Sequence, residues 1–430
     1  MVVSLNTRSS NNNAVWFLVF TCFYIILSIA HTLGDFSSLA MLGSRLYGIL
    51  ASPNMLIITL FILASSVLEH SKELDKINLC EGDLHVFSKV FYFTVLGTVI
   101  AGPAGTVGSC MILLSSFGKA LLKDDKMPVK LIIGLILLIS TMGQLVPPGV
   151  LPIMINDVMT NTVQSFWFGQ GIYDFDIAAS IDLMNALYIP SLIILALTLI
   201  YIVFKVHTPT MKQLRIDLGK LFKANILFVS GIIALCTLSI LNMINVYQFG
   251  YLFIFFGLII TFLNKNLNKD FLVAVTKRTV TMSGGILVFI VIGNLIAFVF
   301  QINGNYDAII NYFRYGDISM LQTHISYIGH LLILCMFLDP FEITYVFLPF
   351  TSNIMLMQQL DTVYVGALTT LVLQVAYLTP PIGLGLFYLK LMFRDISFKD
   401  IAMSAIPMMV IQITSIAIYV IYALYMSNRL

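Results

Sequence analysis

Charged side chains are scarce in this chain of 430 residues, where Asp, Glu, Lys and Arg together make up 10% against roughly 25% in an ordinary soluble domain. That deficit excludes a soluble enzyme and a disordered scaffold, both of which keep a charged, solvated surface. The formal net charge is only +2, so the basic surface that binds nucleic acid is missing and no nucleic-acid partner is expected. Cysteines number five, an odd count at no metal-ligand spacing. Cys22, Cys80, Cys110, Cys236 and Cys335 read as free thiols rather than a disulfide frame. The six His also lack metal spacing, and His324 and His330 are expected in a loop or interface. There is no Gly-rich phosphate loop ending in Lys-Ser or Lys-Thr, so the chain carries no ATPase of its own. No nucleophile is paired with a base, and no catalytic residue or cofactor is expected.

What the chain has is apolar length. Hydrophobic residues make up 59% and the mean hydropathy is +0.95, which predicts an all-α polytopic protein of the lipid bilayer. A crossing helix takes about 20 apolar residues. Continuous runs at 14–30, 54–68, 186–204, 224–246, 247–263, 281–302 and 401–427 meet that need. The first has a cleavage-like end at Ser28-Ile29-Ala30 but is read as a span. Two long runs, 128–156 and 363–389, are interrupted by Pro147-Pro148 and Pro380-Pro381. Two more, 89–119 and 318–356, carry Gly, Pro or an acid near the middle and read as re-entrant hairpins.

Basic residues set the orientation. With the N-terminus inside, the segments 1–13, 69–90, 119–130, 205–223, 264–280 and 390–400 hold 20 of the 23 Lys and Arg. Only Arg45, Arg314 and Arg429 fall outside. The outer loop 157–185 contains Asp157, Asp174, Asp176 and Asp182 but no basic residue. The N-terminus is therefore expected in the cytoplasm and the C-terminus on the opposite side.

The two Pro-Pro pairs are 233 positions apart. At that offset span 14–30 falls on 247–263, and Leu145, Pro147, Pro148 and Leu151 fall on Leu378, Pro380, Pro381 and Leu384 without a gap. The first span runs inward to outward and its partner the other way. The chain therefore divides into a first inverted repeat (1–204), a cytoplasmic linker with a connecting span (205–246) and a second repeat (247–430). Inverted copies with broken helices at matching positions point to a secondary transporter.

Four places have the chemistry for ions or a solute. Segment 97–109 holds four glycines and Pro103, too many for a lipid-facing helix, so its backbone must be satisfied by protein or a water-filled cavity. Gly102, Ala104, Gly105 and Thr106 form its tip, although small residues there also suit helix packing alone. Thr141, Gly143, Pro147 and Pro148 mark the first broken helix, where each proline removes a donor and frees a carbonyl one turn earlier. Thr379, Pro380, Pro381 and Gly383 repeat that device. Asp339 and Pro340 interrupt the apolar run of the second hairpin, where Asp339 is expected to cap the second arm with Pro340 at its first helical position. Oxygens of Thr106, Gly143 and Thr379 are suitable hard ligands for Na+, the expected coupling ion. The helix N-termini gathered there favour an anion.

These residues resemble the large membrane subunit of tripartite ATP-independent periplasmic (TRAP) transporters, within the wider ion-transporter group. The likeness runs from about 54 to 425. It is carried by Met336-Phe337-Leu338-Asp339-Pro340, Pro349, Asp361, Gly366 and Leu378-Thr379-Pro380-Pro381-Ile382-Gly383-Leu384, and more loosely by Ala104-Gly105-Thr106, Thr141-Met142-Gly143 and Val146-Pro147-Pro148. Ala104 stands where that family has a serine, and Val372 and Ala376 where it has Asn and Gly. The resemblance implies an elevator-type, ion-driven importer of small organic acids in the bacterial inner membrane. It also implies two partners: a small four-helix membrane subunit and a periplasmic solute-binding protein. A stand-alone anion carrier is the rival within transport, and a membrane enzyme or assembly factor using the buried acids is the rival outside it.

Overall fold

The computed structural model describes residues 53–71, 85–102, 107–122, 124–146, 149–169, 180–210, 226–241, 243–302, 319–335, 343–356, 360–379 and 383–426, with isolated positions 47, 214, 217, 338 and 340. Among the described residues the regular structure is helical throughout. The first half supplies α1 (Pro53–Glu69), α2 (Val86–Ala101), α3 (Val107–Leu121), α4 (Val129–Met142), α5 (Val150–Gly169), α6 (Ser180–Ala186) and α7 (Tyr188–Lys205). After α8 (Ile226–Ile240) come α9 (Val246–Leu263), α10 (Lys269–Ile302) and α11 (Met320–Cys335). A π-helical turn (Ile343–Phe347) leads into α12 (Leu348–Leu356), followed by α13 (Thr362–Ala376), α14 (Leu384–Met392) and α15 (Phe398–Met426). Span 14–30, and with it the match to 247–263, lies outside the described residues.

The apolar runs set these lengths and polar caps set several of the starts. Asn245 accepts from the Gln248 N–H at 2.9 Å while the Gln248 side chain accepts from the Asn245 N–H at 2.9 Å, closing a capping box ahead of α9. Asp361 accepts from the Val363 N–H at 3.2 Å ahead of α13. Among the described residues, three helical stretches, Ile181–Lys205, Val246–Leu263 and Phe398–Tyr425, are long and apolar enough to cross a membrane. Their outward faces are apolar as well: Phe204 is 83% exposed and Phe262 68%. Large bare apolar surface of this kind suits lipid rather than water. Many buried hydroxyls close onto carbonyls of their own helix, as Thr94 does on Val90, Thr198 on Ile194 and Thr261 on Gly257, while those of Ser88 and Ser115 have no hydrogen-bond partner.

Two expected boundaries are corrected. The loop expected at 157–185 begins later, because α5 continues to Gly169 and carries Asp157 in its middle at 5% exposure. The apolar run ends at Asn156, but the helix does not, since Asn156, Asp157 and Thr162 are buried against protein rather than lipid. The segment 264–280 is likewise largely helical, as the foot of α10. His324 and His330 both lie within α11, and His324 is buried there, which corrects the loop placement.

Segments expected on the cytoplasmic side do gather together. Lys89 pairs with Asp124 at 3.0 Å, Lys130 with Asp400 at 3.2 Å, and the His85 N–H donates to Asp217 at 3.2 Å. In a second group, Arg278 pairs with Glu69 at 2.6 Å, and Asn264 and Asn266 donate to the carbonyls of Ser71 and His70. The Lys89–Asp124 bond joins the start of α2 to the chain just past α3, so the two arms begin and end together. Asp124 is partly exposed, and its bond to Lys89 holds the carboxyl below the usual range.

Helix bounds recur at the sequence offset. Val129 and Thr362 open α4 and α13 233 positions apart, and Glu69 and Ile302 close α1 and α10 at the same spacing. The packing pairs up too: α2 lies on α4 as α11 lies on α13, and α3 on α14 as α12 on α5.

Candidate functional site

The first broken helix is built by close approach. At 14 residues α4 reaches only about 21 Å, well short of a crossing. Its last turn tightens, with Gln144 N–H donating to Thr141 O at 3.0 Å and Leu145 N–H to Met142 O at 2.9 Å. Only glycine fits at 143: an added Cβ would lie 2.4 Å from the carbonyl oxygen of Ala101, at the end of the hairpin arm. The end of the hairpin arm, at Ala101, thus packs directly on the broken helix. Thr141 Oγ1 donates to Leu138 O at 2.7 Å and accepts from Gln412 Nε2 on α15 at 2.8 Å. That second bond makes Thr141 a tether, with one lone pair left for any ion. Ala104, Gly105, Thr106, Pro147 and Pro148 lie outside the described residues.

The second broken helix folds back on itself. Gly383 N–H donates to Thr379 O at 2.9 Å and Gly385 N–H to Tyr377 O at 3.0 Å, bringing the start of α14 back beside the end of α13. Met111 of the first hairpin packs where a side chain at Gly385 would go, 2.8 Å from an added Cβ. Thr379 Oγ1 donates to Val375 O at 2.7 Å, and a hydroxyl that has given its proton keeps two lone pairs for a cation. Pro340 is helical and buried at the entry to the π-turn, and its carbonyl accepts from Thr344 Oγ1 at 2.7 Å. Asp339, Pro380 and Pro381 lie outside the described residues, so the capping expected of Asp339 does too. The hairpin arm α11 is stitched to α13 by Tyr327–Thr369 at 2.5 Å and His324–Tyr364 at 3.0 Å.

The two broken helices meet. Gln144 Nε2 donates to the Tyr377 hydroxyl at 3.3 Å, and these residues stand 233 positions apart, the same offset as the Pro-Pro pairs. Sequence reasoning missed both, and it missed Gln374, which sits at that offset from Thr141 and is 1% exposed. The signal was available: matching the two halves at 233 puts polar residues opposite one another. Glycine and proline mark a broken helix in a sequence, whereas an isolated Gln or Tyr in an apolar run carries no such mark. Asp157 was missed for a different reason, having been assigned to a loop. It lies in the protein interior, 5% exposed.

A family model described as tripartite ATP-independent periplasmic transporter, DctM component, matches residues 1–424. A search of curated proteins returns no match. Among solved structures, the crystal structure of the Alcanivorax borkumensis YdaH transporter, reported to have an unusual topology, superposes with a TM-score of 0.66. It covers 96% of this chain and 97% of its own at 12% identity, so the likeness is one of fold. With hairpins seated on broken helices inside an apolar helical shell, and the family match running almost end to end, this chain belongs to the DctM family, the large membrane component of tripartite ATP-independent periplasmic transporters.

Proposed function

We propose that this chain imports a small organic anion, a carboxylate, across the bacterial inner membrane on an inward Na+ gradient. A small four-helix membrane subunit and an extracytoplasmic solute-binding protein are its partners. The observation that carries the reading is the meeting of Gln144 and Tyr377, which puts two interrupted helix ends together in the protein interior with a hairpin packed on the first. Exposed carbonyls and the Thr379 hydroxyl offer oxygen to Na+, and helix N-termini beside them offer partial positive charge to a carboxylate. Bound side by side, ion and anion raise each other's affinity by the same factor. An elevator motion would slide the hairpins and broken helices against the group formed by α1, α9 and α10, which pack on one another and meet the second hairpin at its π-turn and the first half at α5. The N-terminus is cytoplasmic and the C-terminus periplasmic in this reading, and the repeats are inverted.

The test is uptake of labelled carboxylates into vesicles carrying the complete system. Uptake should need an inward Na+ gradient, and Thr379→Val should raise the Na+ concentration for half-maximal rate about tenfold, one oxygen ligand being worth about 1–2 kcal/mol. Full activity on a proton gradient, unchanged by that substitution, would sink Na+ coupling. Uptake by this chain without partners would favour the stand-alone carrier.

A further inference from the structure

Polar atoms buried in a protein interior find partners, and an orphan costs about 1–3 kcal/mol. Four amide atoms around the broken helices depart from that rule. Neither Oε1 nor Nε2 of Gln374 has a hydrogen-bond partner, and Gln144 Oε1 and Gln412 Oε1 are orphaned as well. All three side chains are at most 2% exposed.

Hydrogen bonds tie two of them to the broken helices, and the third lies one turn from Tyr377. Gln412 donates to Thr141. Gln144 follows Thr141 by three residues and donates to Tyr377. Gln374 precedes Tyr377 by three on the same helix face. The Thr141 hydroxyl has already given its proton to Leu138 O, so it can only accept, and this fixes the Gln412 amide with its nitrogen toward Thr141 and its oxygen free. The orphans are then three carbonyl oxygens against one amide nitrogen. An excess of neutral oxygen in a buried interior is the wrong sign for an anion and the right one for an alkali cation, whose lost hydration shell carbonyl oxygens replace.

We infer that the side-chain oxygens of Gln144, Gln374 and Gln412 form a monovalent-cation site between the two broken helices, apart from the hairpin tips. The inference deepens the Na+ coupling proposed above. Gln144 belongs to the first broken helix and Gln374 to the second, so a cation held by both closes one onto the other.

Two readouts test it in the purified chain with its membrane partner: thermal unfolding in NaCl against choline chloride at constant ionic strength, and Na+ dependence of uptake in vesicles. Wild-type protein should be stabilised by Na+ specifically. Gln374→Leu should lose most of that stabilisation and raise the half-maximal Na+ concentration about tenfold, while Gln374→Glu, which keeps an oxygen, should stay within about twofold of wild type or bind tighter. Gln374→Met serves in place of Leu if the latter misfolds. If the amides merely hold water, Gln374→Leu will raise stability in choline and leave the Na+ response intact, and the site is refuted. If wild-type uptake ignores Na+, the coupling reading fails on its own. A Na+-specific stabilisation that Gln374→Leu abolishes then still supports the site, and its absence overturns it.

Discussion

The two broken helices use one backbone device for different ends. In the first, the bracing comes from other elements: Gly143 admits the Ala101 carbonyl, Thr141 is held by Gln412, the hairpin base is pinned by Lys89 and Asp124, and of the Gln144 amide only the oxygen is left over. In the second, the turn closes on its own backbone through Gly383 and Gly385, and Gln374 is left without a partner. The lesson is that a repeated motif does not imply a repeated role. One copy is braced from outside and keeps a single amide oxygen, while the other closes on itself and keeps a whole amide.

The contrast is sharpest at the glycines. Gly143→Ala places a methyl group against a carbonyl oxygen of another helix, which neither backbone can yield. We expect a loss of about 3 kcal/mol or more and no transport, measured as thermal unfolding and vesicle uptake. Gly383→Ala meets atoms of its own turn at 2.9 Å or beyond, and the loss should be nearer 1–2 kcal/mol. Equal losses at both positions would erase the distinction.

The threonines are the next test. Thr141→Val orphans the Gln412 nitrogen and should cost about 1–2 kcal/mol, with much of it recovered in Thr141→Val/Gln412→Leu, where both partners become apolar. Thr379→Val should leave stability within about 0.5 kcal/mol, since only a bond within its own helix is lost. A Thr379→Val protein as unstable as Thr141→Val would show that the second copy is braced as well.

The smallest effect belongs to the base of the first hairpin. Asp124→Asn should lower the melting temperature by about one or two degrees. Because Lys89 lowers the folded-state pKa of Asp124, its contribution is complete above the usual carboxylate range and fades as pH falls through the lowered value. Unfolding followed from neutral to acid pH should therefore show wild type and Asp124→Asn converging at the acid end.

Much of this architecture was legible because apolar length is a direct statement about lipid. The runs 54–68, 186–204, 247–263 and 401–427 agree with α1, α7, α9 and α15 to within three residues at either end, and both hairpins fall inside their predicted limits apart from ends two or three residues longer. Reading failed where burial is by protein. Asp157 and Asn156 end an apolar run without ending a helix, since a neighbouring helix can satisfy a polar group that lipid cannot. The site was legible in its backbone, through Gly143 and Gly383, and illegible in its amides. A glutamine in a sequence carries no mark of whether water, protein or an ion will satisfy it; the Gln374 environment is a property of packing.

The shortness of α4 has an electrical consequence. A helix of 14 residues stops about 21 Å along a layer roughly 30 Å thick, so whatever binds at its end sits partway through the voltage drop. Each elementary charge moved across the full drop exchanges about 2.3 kcal/mol per 100 mV with the field. A net charge shuttled from that depth therefore registers as current, and clamping the voltage alters occupancy as effectively as changing the ion concentration.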